Sequence, residues 1–298
     1  MALPLTEAVS TDVYGIDTMP DATVLARLLA GQKAALAAVD GAMVPIARAA
    51  AMMAGALRGE GRLIYAAAGS SALMAVADGL ELGGTFGIAP DRIRLLMAGG
   101  LPTDAGMPGH TEDDVSEAEV VAQNIGARDV VIAVTASGST PYALKISRLA
   151  RDAGARTIGI ANNANAPLFD TSDVAIHLPT PPEVIAGSTR LGAATAQKAA
   201  LNMMSTLMGV HLGHVHDGMM VNLIADNAKL RARAAVMVCA ISGVNEARAQ
   251  DCLEQSGGVV KRAVLLAAGA ANLQVADAML ARAGGVLRTA LTDQGFYD

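Results

Sequence analysis

Two stretches of this 298-residue chain combine hydroxyls, glycine and the expected start of a helix. One is Ala68-Gly69-Ser70-Ser71; the other is Thr135-Ala136-Ser137-Gly138-Ser139-Thr140-Pro141. Each follows an apolar run and precedes a helical pattern. Such a turn offers hydroxyl donors and the free N–H groups of a helix N-terminus, with the dipole's positive end facing an anion. That is the chemistry of a phosphate cradle built without cations. Neither stretch matches GxGxxG or GxxxxGK followed by Ser or Thr, so a dinucleotide or a nucleoside triphosphate is not indicated. The same hydroxyls, Ser70 and Ser139, have an alternative use as helix caps, and the residues alone leave both uses open.

Carboxylates supply the second kind of chemistry, the giving and taking of protons. Glu81 lies in Leu80-Glu81-Leu82-Gly83-Gly84-Thr85-Phe86, at the expected end of a helix. An acid there opposes the helix dipole, a local cost that a function would justify; a solvated carboxylate is the alternative. Glu112-Asp113-Asp114 falls in a loop that can reach a ligand crevice or cap the helix that follows. Arg190, in Gly187-Ser188-Thr189-Arg190, reads equally as a substrate clamp or as half of a surface ion pair. His211, His214 and His216 cluster near a helix end beside Asp217, without a nearby cysteine. Cations at a helix C-terminus account for them, so no metal is expected. No Gly-x-Ser-x-Gly with a following Asp and His suggests a hydrolase triad.

These residues need a scaffold. Arg62 to Ala67, Arg92 to Ala98, Asp129 to Thr135, Arg156 to Ala161 and Val174 to Leu178 read as strands. They alternate with helices over Ser71–Leu82, about Asp114–Ile125, Pro141–Ala153 and about Ala193–Leu212. Near-continuous apolar strands alternating with helices predict an α/β fold, a doubly wound parallel five-stranded sheet. Ligands on such sheets bind at the carboxyl ends of the strands, where both hydroxyl turns fall. Before the sheet, Asp21–Ala30 and Gln32–Leu57 predict a helical arm punctuated by Gly31, Gly41 and Pro45. Its polar start, Thr11–Met19, is too polar for a core strand and is expected to lie across another part of the protein. After about residue 217 the strands are expected to stop. Leu223–Val238, Asn245–Gln255, Val259–Ala268 and Asn272–Ala281 then read as helices. The expected domains are a helical arm over 1–58, the α/β domain over 59–217 and a helical C-terminal domain over 218–298.

Composition narrows the partners. The net charge is −6 and no dense basic block occurs, which argues against nucleic acid and anionic membranes. Mean hydropathy is +0.39, yet no uninterrupted apolar run reaches the roughly 18 residues of a spanning helix. No signal peptide is expected, because no basic region followed by an apolar core opens the sequence, and no disulfide framework is expected, because Cys239 and Cys252 are the only cysteines. The expected setting is the cytoplasm.

The segment Ala136-Ser137-Gly138-Ser139-Thr140-Pro141-Tyr142 resembles the phosphosugar-binding loop of sugar isomerase domains, in the form carried by N-acetylmuramic acid 6-phosphate etherases. Nearly the whole chain joins the resemblance. Ile16-Asp17-Thr18-Met19, the stretch Pro182 to Arg190, Thr195-Ala196-Gln197-Lys198 and Asn227-Ala228-Lys229-Leu230 all resemble elements of that family. It implies a homodimer with the site near the subunit interface, and no metal or redox cofactor. It implies removal of D-lactate from carbon 3 of a sugar phosphate by elimination, followed by addition of water. Glu81 and Glu112 fall on the family's two functional glutamates, with the roles of acid and base left open. Gly69, Ser70, Ser71, Ser137, Gly138, Ser139, Thr140, Glu183, Ser188 and Arg190 are the implied substrate contacts. Departures from the family pattern are Leu73 in place of Arg, Gly192 in place of Lys, Gly218 in place of Asn, and Gly83-Gly84 in place of Pro-Pro. Loss of the cations leaves anion contact mainly to hydroxyls and backbone. The alternatives are a phosphosugar-binding regulator, or a lyase or isomerase acting on another sugar phosphate.

Overall fold

Five short apolar runs pair in parallel in the computed structural model, which describes residues 5–223 and 228–296. The chain forms two compact units, Met1–Leu80 with Pro90–Leu207, and Glu81–Ala89 with Met208–Asp298. In chain order the first unit contains α1 (Asp21–Ala37), α2 (Met43–Arg58), β1 (Leu63–Ala67), α3 (Gly69–Phe86), β2 (Ile93–Met97), α4 (Val115–Val121) and β3 (Val130–Val134). It continues with α5 (Pro141–Asp152), β4 (Arg156–Ala161), β5 (Val174–His177) and α6 (Gly192–His211). Helices α3 and α6 each run on into the second unit.

The strand order is β2-β1-β3-β4-β5. Chain direction across the sheet therefore reverses between β1 and β3, and that switch point is where doubly wound sheets leave a crevice. Side chains alternate between faces. Ile64, Ala66 and Val131 pack with Ala118 of α4 and Ile146 and Ala150 of α5. Helix α2 packs on β1, β3 and β5 and buries Ile46, Ala49, Ala50, Met53 and Ala54. The stretch Asp21–Arg58 is apolar enough to cross a membrane by length and composition, but it folds as two helices, and the second is a core helix of this unit. Polar groups also tie α3 down. Tyr65 donates from its hydroxyl to Asp78 at 2.8 Å, and Ser205 of α6 donates to the other Asp78 oxygen at 3.0 Å. Burial pushes the Asp78 carboxyl up, against these bonds and Lys198 nearby.

Several expected boundaries move. Gly31 does not end α1; a Cβ there would meet Val184 at 2.5 Å, so the residue serves a close approach rather than a break. Helix α3 passes through Gly83-Gly84 to Phe86, so Glu81 is five residues short of its end and its conflict with the dipole is smaller than expected.

The second unit adds β6 (Val215–His216), β7 (Met219–Met220), α7 (Ala228–Ser242), α8 (Glu246–Gln255), α9 (Val260–Ala267), α10 (Leu273–Arg282) and α11 (Leu287–Thr292). Its core joins Val238, Ile241, Cys252, Val264, Leu265, Met279 and Leu291. Strands do not stop at 217: β6 and β7 form an antiparallel pair across Asp217-Gly218, both at positive φ. Asn245 and Asn272 cap α8 and α10 through their side chains, as their positions predict. Asn227, in the family-like Asn227-Ala228-Lys229-Leu230, lies outside the described residues.

Candidate active site

Both hydroxyl turns lie at the switch point. Gly69 opens α3 one residue after Ala68, at the end of β1, and Thr135–Thr140 joins β3 to α5. A cavity of about 170 Å³ lies between them. Ser70, Ser71, Thr135, Ser137, Thr140 and Thr189 line it with hydroxyls, and Glu112 borders it. No Lys, Arg or His is among its lining residues. A second, smaller cavity of about 50 Å³ shares Gly69 and Glu112 with the first and is otherwise walled by the loop from Met97 to Thr111. A larger, open groove of about 690 Å³ lies at the other end of the strands, around Gly61, Arg128 and Arg156. It is away from the carboxyl ends where this architecture binds ligands.

The turn after β3 is held by its own hydroxyls. Thr135 and Thr140 share a hydrogen bond at 2.7 Å, and Thr135 and Ser137 lie 3.3 Å apart. Ser139 donates from both its N–H and its hydroxyl to Ser137 at 3.1 Å. Thr140 is the N-cap residue of α5 but makes no side-chain cap bond. The helix-cap alternative therefore does not describe these hydroxyls. Gly138 has φ +76, and a Cβ there would run into Ala166. On the facing turn, the Ser70 and Thr189 hydroxyls are 3.3 Å apart.

The acidic triplet divides by function. Asp114 accepts from the N–H groups of Ser116 and Glu117, both at 2.9 Å, and caps α4. Glu112 turns the other way. Its Oε1 lies where a Cβ on Gly69 would approach to 2.5 Å, so the carboxylate sits against the first residue of α3. Gly69 is at φ +55 and leaves room for it. Burial, with the charge of Asp113 beside it, pushes the Glu112 carboxyl up. A carboxyl displaced in that direction is better matched to proton transfer near neutrality.

The remaining sequence-derived residues separate. Glu183 is buried and accepts from the N–H groups of Gly192 at 2.8 Å and Ala193 at 2.9 Å, so its two oxygens hold the start of α6. Arg190 and Ser139 are exposed, Ser188 is half-buried and Gly138 is buried; none of the four is among the residues lining the 170 Å³ cavity. Glu81 is exposed and also not among them. It lies twelve residues beyond Gly69 on α3 and belongs to the second unit.

Residues of the site not singled out from sequence include Thr6 and Glu7, which line the cavity, Thr189, and Asn163, which donates to the Ser137 carbonyl at 3.1 Å. The polar stretch read from sequence, Thr11–Met19, begins after the first two, and no sequence signal pointed to them.

Among the described residues no group of three His, Cys, Asp or Glu is arranged to hold a metal ion. His214 is half-buried in the second unit, where burial, reinforced by Lys261, lowers its pKa to about 4. Its unfolded form would take up a proton near the ordinary value of 6.5, so the unfolded state binds more protons between these limits. The stability contributed by neutral His214 is thus complete above pH 6.5 and is lost as pH falls toward 4. Chemical denaturation of wild type and His214→Gln across that range should show a steeper acid loss in wild type; parallel curves would remove His214 as the cause.

This fold and this paired-turn cavity define a sugar isomerase domain protein. A SIS domain model matches residues 106–208. The chain superimposes on a Bacteroides fragilis protein assigned to phosphosugar isomerisation in capsule formation, with a TM-score of 0.52, 18% identity, and coverage of 67% of this chain and 95% of that one. An Escherichia coli protein, solved as a ligand complex, gives a TM-score of 0.52 at 13% identity, over 67% and 97% of the two chains. The N-acetylmuramic acid 6-phosphate etherase of Deinococcus radiodurans is 41% identical over 96% of this chain and 94% of its own length. The etherase of Burkholderia lata is 39% identical over 97% and 94%, and that of Geobacillus thermodenitrificans 37% over 93% and 94%. The chain belongs to the N-acetylmuramic acid 6-phosphate etherase family.

Proposed function

We propose that this chain is an N-acetylmuramic acid 6-phosphate etherase, a carbon–oxygen lyase that releases D-lactate and leaves N-acetylglucosamine 6-phosphate. Family membership over nearly the full length supports the activity. The placement of Glu112 against the hydroxyl-lined cavity carries the assignment of the site. The phosphate occupies the cavity between the two turns, held by Ser70, Ser71, Ser137 and Thr140 and by the backbone N–H groups of the turns. Elimination from the open-chain aldehyde needs a base for the proton on carbon 2 and an acid for the departing lactate oxygen; water then adds to the double bond. Glu112 performs one of these transfers and Glu81 the other. Because Glu81 is far along α3 from Gly69, it serves the cavity of a second copy, in a homodimer that works in the cytoplasm. Residues 59–217 form the catalytic domain, with 1–58 as its arm and 218–298 as a helical appendage.

Release of lactate from N-acetylmuramic acid 6-phosphate by the purified protein tests the activity. Tight binding of the sugar phosphate without lactate would replace the enzyme with a phosphosugar-responsive regulator. Replacing Ser137 and Thr140 together by Ala should weaken binding of N-acetylglucosamine 6-phosphate by about 1–3 kcal/mol in calorimetry, since each lost bond leaves an anion partner unmet. Unchanged affinity in a folded variant would move the phosphate out of this cavity.

A further inference from the structure

The cavity contains a second carboxylate that the reaction described above does not use. Glu7 comes from a single 3-10 turn, Leu5–Glu7, and the next lining residue along the chain is Ala68. The turn is anchored selectively. Thr6 is 3% exposed, whereas Leu5 is 46% exposed and Val9 73%. The Asn163 side-chain amide donates to the Thr6 hydroxyl at 3.2 Å and to the Ser137 carbonyl at 3.1 Å. One nitrogen thus fastens the N-terminal turn to the hydroxyl loop.

Glu7 itself is exposed to the cavity, with Oε2 lying where a Cβ on Gly187 would be 3.3 Å away. Among the described residues none donates a hydrogen bond or a cation to this carboxylate. An unpaired carboxylate in a hydroxyl-lined cavity accepts hydrogen bonds from neutral donors and repels a second anion. Ser137 and Thr140 of the hydroxyl loop line the same cavity.

Resting on the reading of this cavity as the sugar phosphate site, we propose that Glu7 is a specificity-determining contact. It accepts hydrogen bonds from hydroxyl or amide N–H donors of the sugar, and its charge bars the phosphate from that end, which fixes the direction in which the ligand lies.

Calorimetry with two probes, inorganic phosphate and N-acetylglucosamine 6-phosphate, tests this on the full chain. Glu7→Ala and Glu7→Gln should bind the sugar phosphate roughly 10- to 100-fold more weakly, the range of a hydrogen bond to a charged group. Inorganic phosphate should bind as tightly as to wild type, or more tightly. Glu7 is on the surface, so melting temperatures should match wild type. Equal losses for both probes would make Glu7 a mere support of the loop and overturn the proposal. Unchanged or tighter sugar phosphate binding would overturn it as well. The Ser137→Ala, Thr140→Ala double variant separates the two levels. If it loses sugar phosphate while the Glu7 variants do not, only the role of Glu7 fails; if it loses neither probe, the site lies elsewhere.

Discussion

Glu112→Gln protein is expected to release lactate from N-acetylmuramic acid 6-phosphate roughly 10²–10⁴-fold more slowly than wild type, the usual worth of a positioned acid or base. Glutamine keeps the shape that packs against Gly69 and one acceptor oxygen, so binding of N-acetylglucosamine 6-phosphate should stay within a few-fold. What is lost is the exchangeable proton of a carboxyl that burial and Asp113 push up. The direction of that shift makes the pH profile informative. If Glu112 is the base, kcat/KM falls as pH drops through its raised pKa; if it is the acid, kcat/KM falls as pH rises through it. In heavy water the wild-type product should carry deuterium at carbon 2, because elimination breaks that C–H bond. Near-normal lactate release by Glu112→Gln would remove the residue from the chemistry, and product without deuterium would remove the elimination.

The sheet was legible because its signal is local. Five apolar runs spaced by helical patterns admit few arrangements, and the observed strands differ from the expected ones by a residue or so at their ends. Both hydroxyl turns were legible for the same reason, since each directly follows a strand. Legibility ended where long-range packing decides. Gly31 reads as a helix breaker in sequence and is a contact with Val184 in space. Gly192 stands where the family carries Lys; a Cβ there would lie 3.0 Å from a Glu183 oxygen and 3.1 Å from Ala35, so this chain uses the position for packing and capping rather than for a cation. Within Glu112-Asp113-Asp114, three adjacent acids look alike in sequence. Only the 3-10 turn Gly109–Asp113, and the helix start at Val115, assign Asp114 to the cap and Glu112 to the cavity. Thr6 and Glu7 reach the site from the far end of the chain, and no spacing rule connects them to Ser137. The β6–β7 pair was missed although Asp217-Gly218 is a known hairpin turn sequence, because two-residue strands have no periodicity to read.

Glu81→Gln alone should also lower turnover roughly 10²–10⁴-fold, and mixing it with Glu112→Gln should restore activity. Glu81 is exposed on α3, twelve residues beyond Gly69, and belongs to the second unit, whereas Glu112 and the cavity belong to the first. Glu81 is not among the residues that line the cavity Glu112 borders. In a two-fold dimer each surface meets its own copy, so each subunit can lend Glu81 to the other's cavity. Co-expressed with different tags, the two variants form homodimers with no intact site and heterodimers with one. In such a heterodimer, Glu112 of the Glu81→Gln chain faces Glu81 of the Glu112→Gln chain. Random pairing makes about half the dimers mixed, which leaves about a quarter of the wild-type number of intact sites. Purified heterodimers should reach about half of wild-type turnover, far above either parent. If heterodimer activity stays at the parental level while both single variants are impaired, the two glutamates act within one chain and the shared-site arrangement is wrong. If Glu81→Gln is active by itself, Glu81 has no part in proton transfer, and the second proton-transfer group must be sought among the residues lining the cavity.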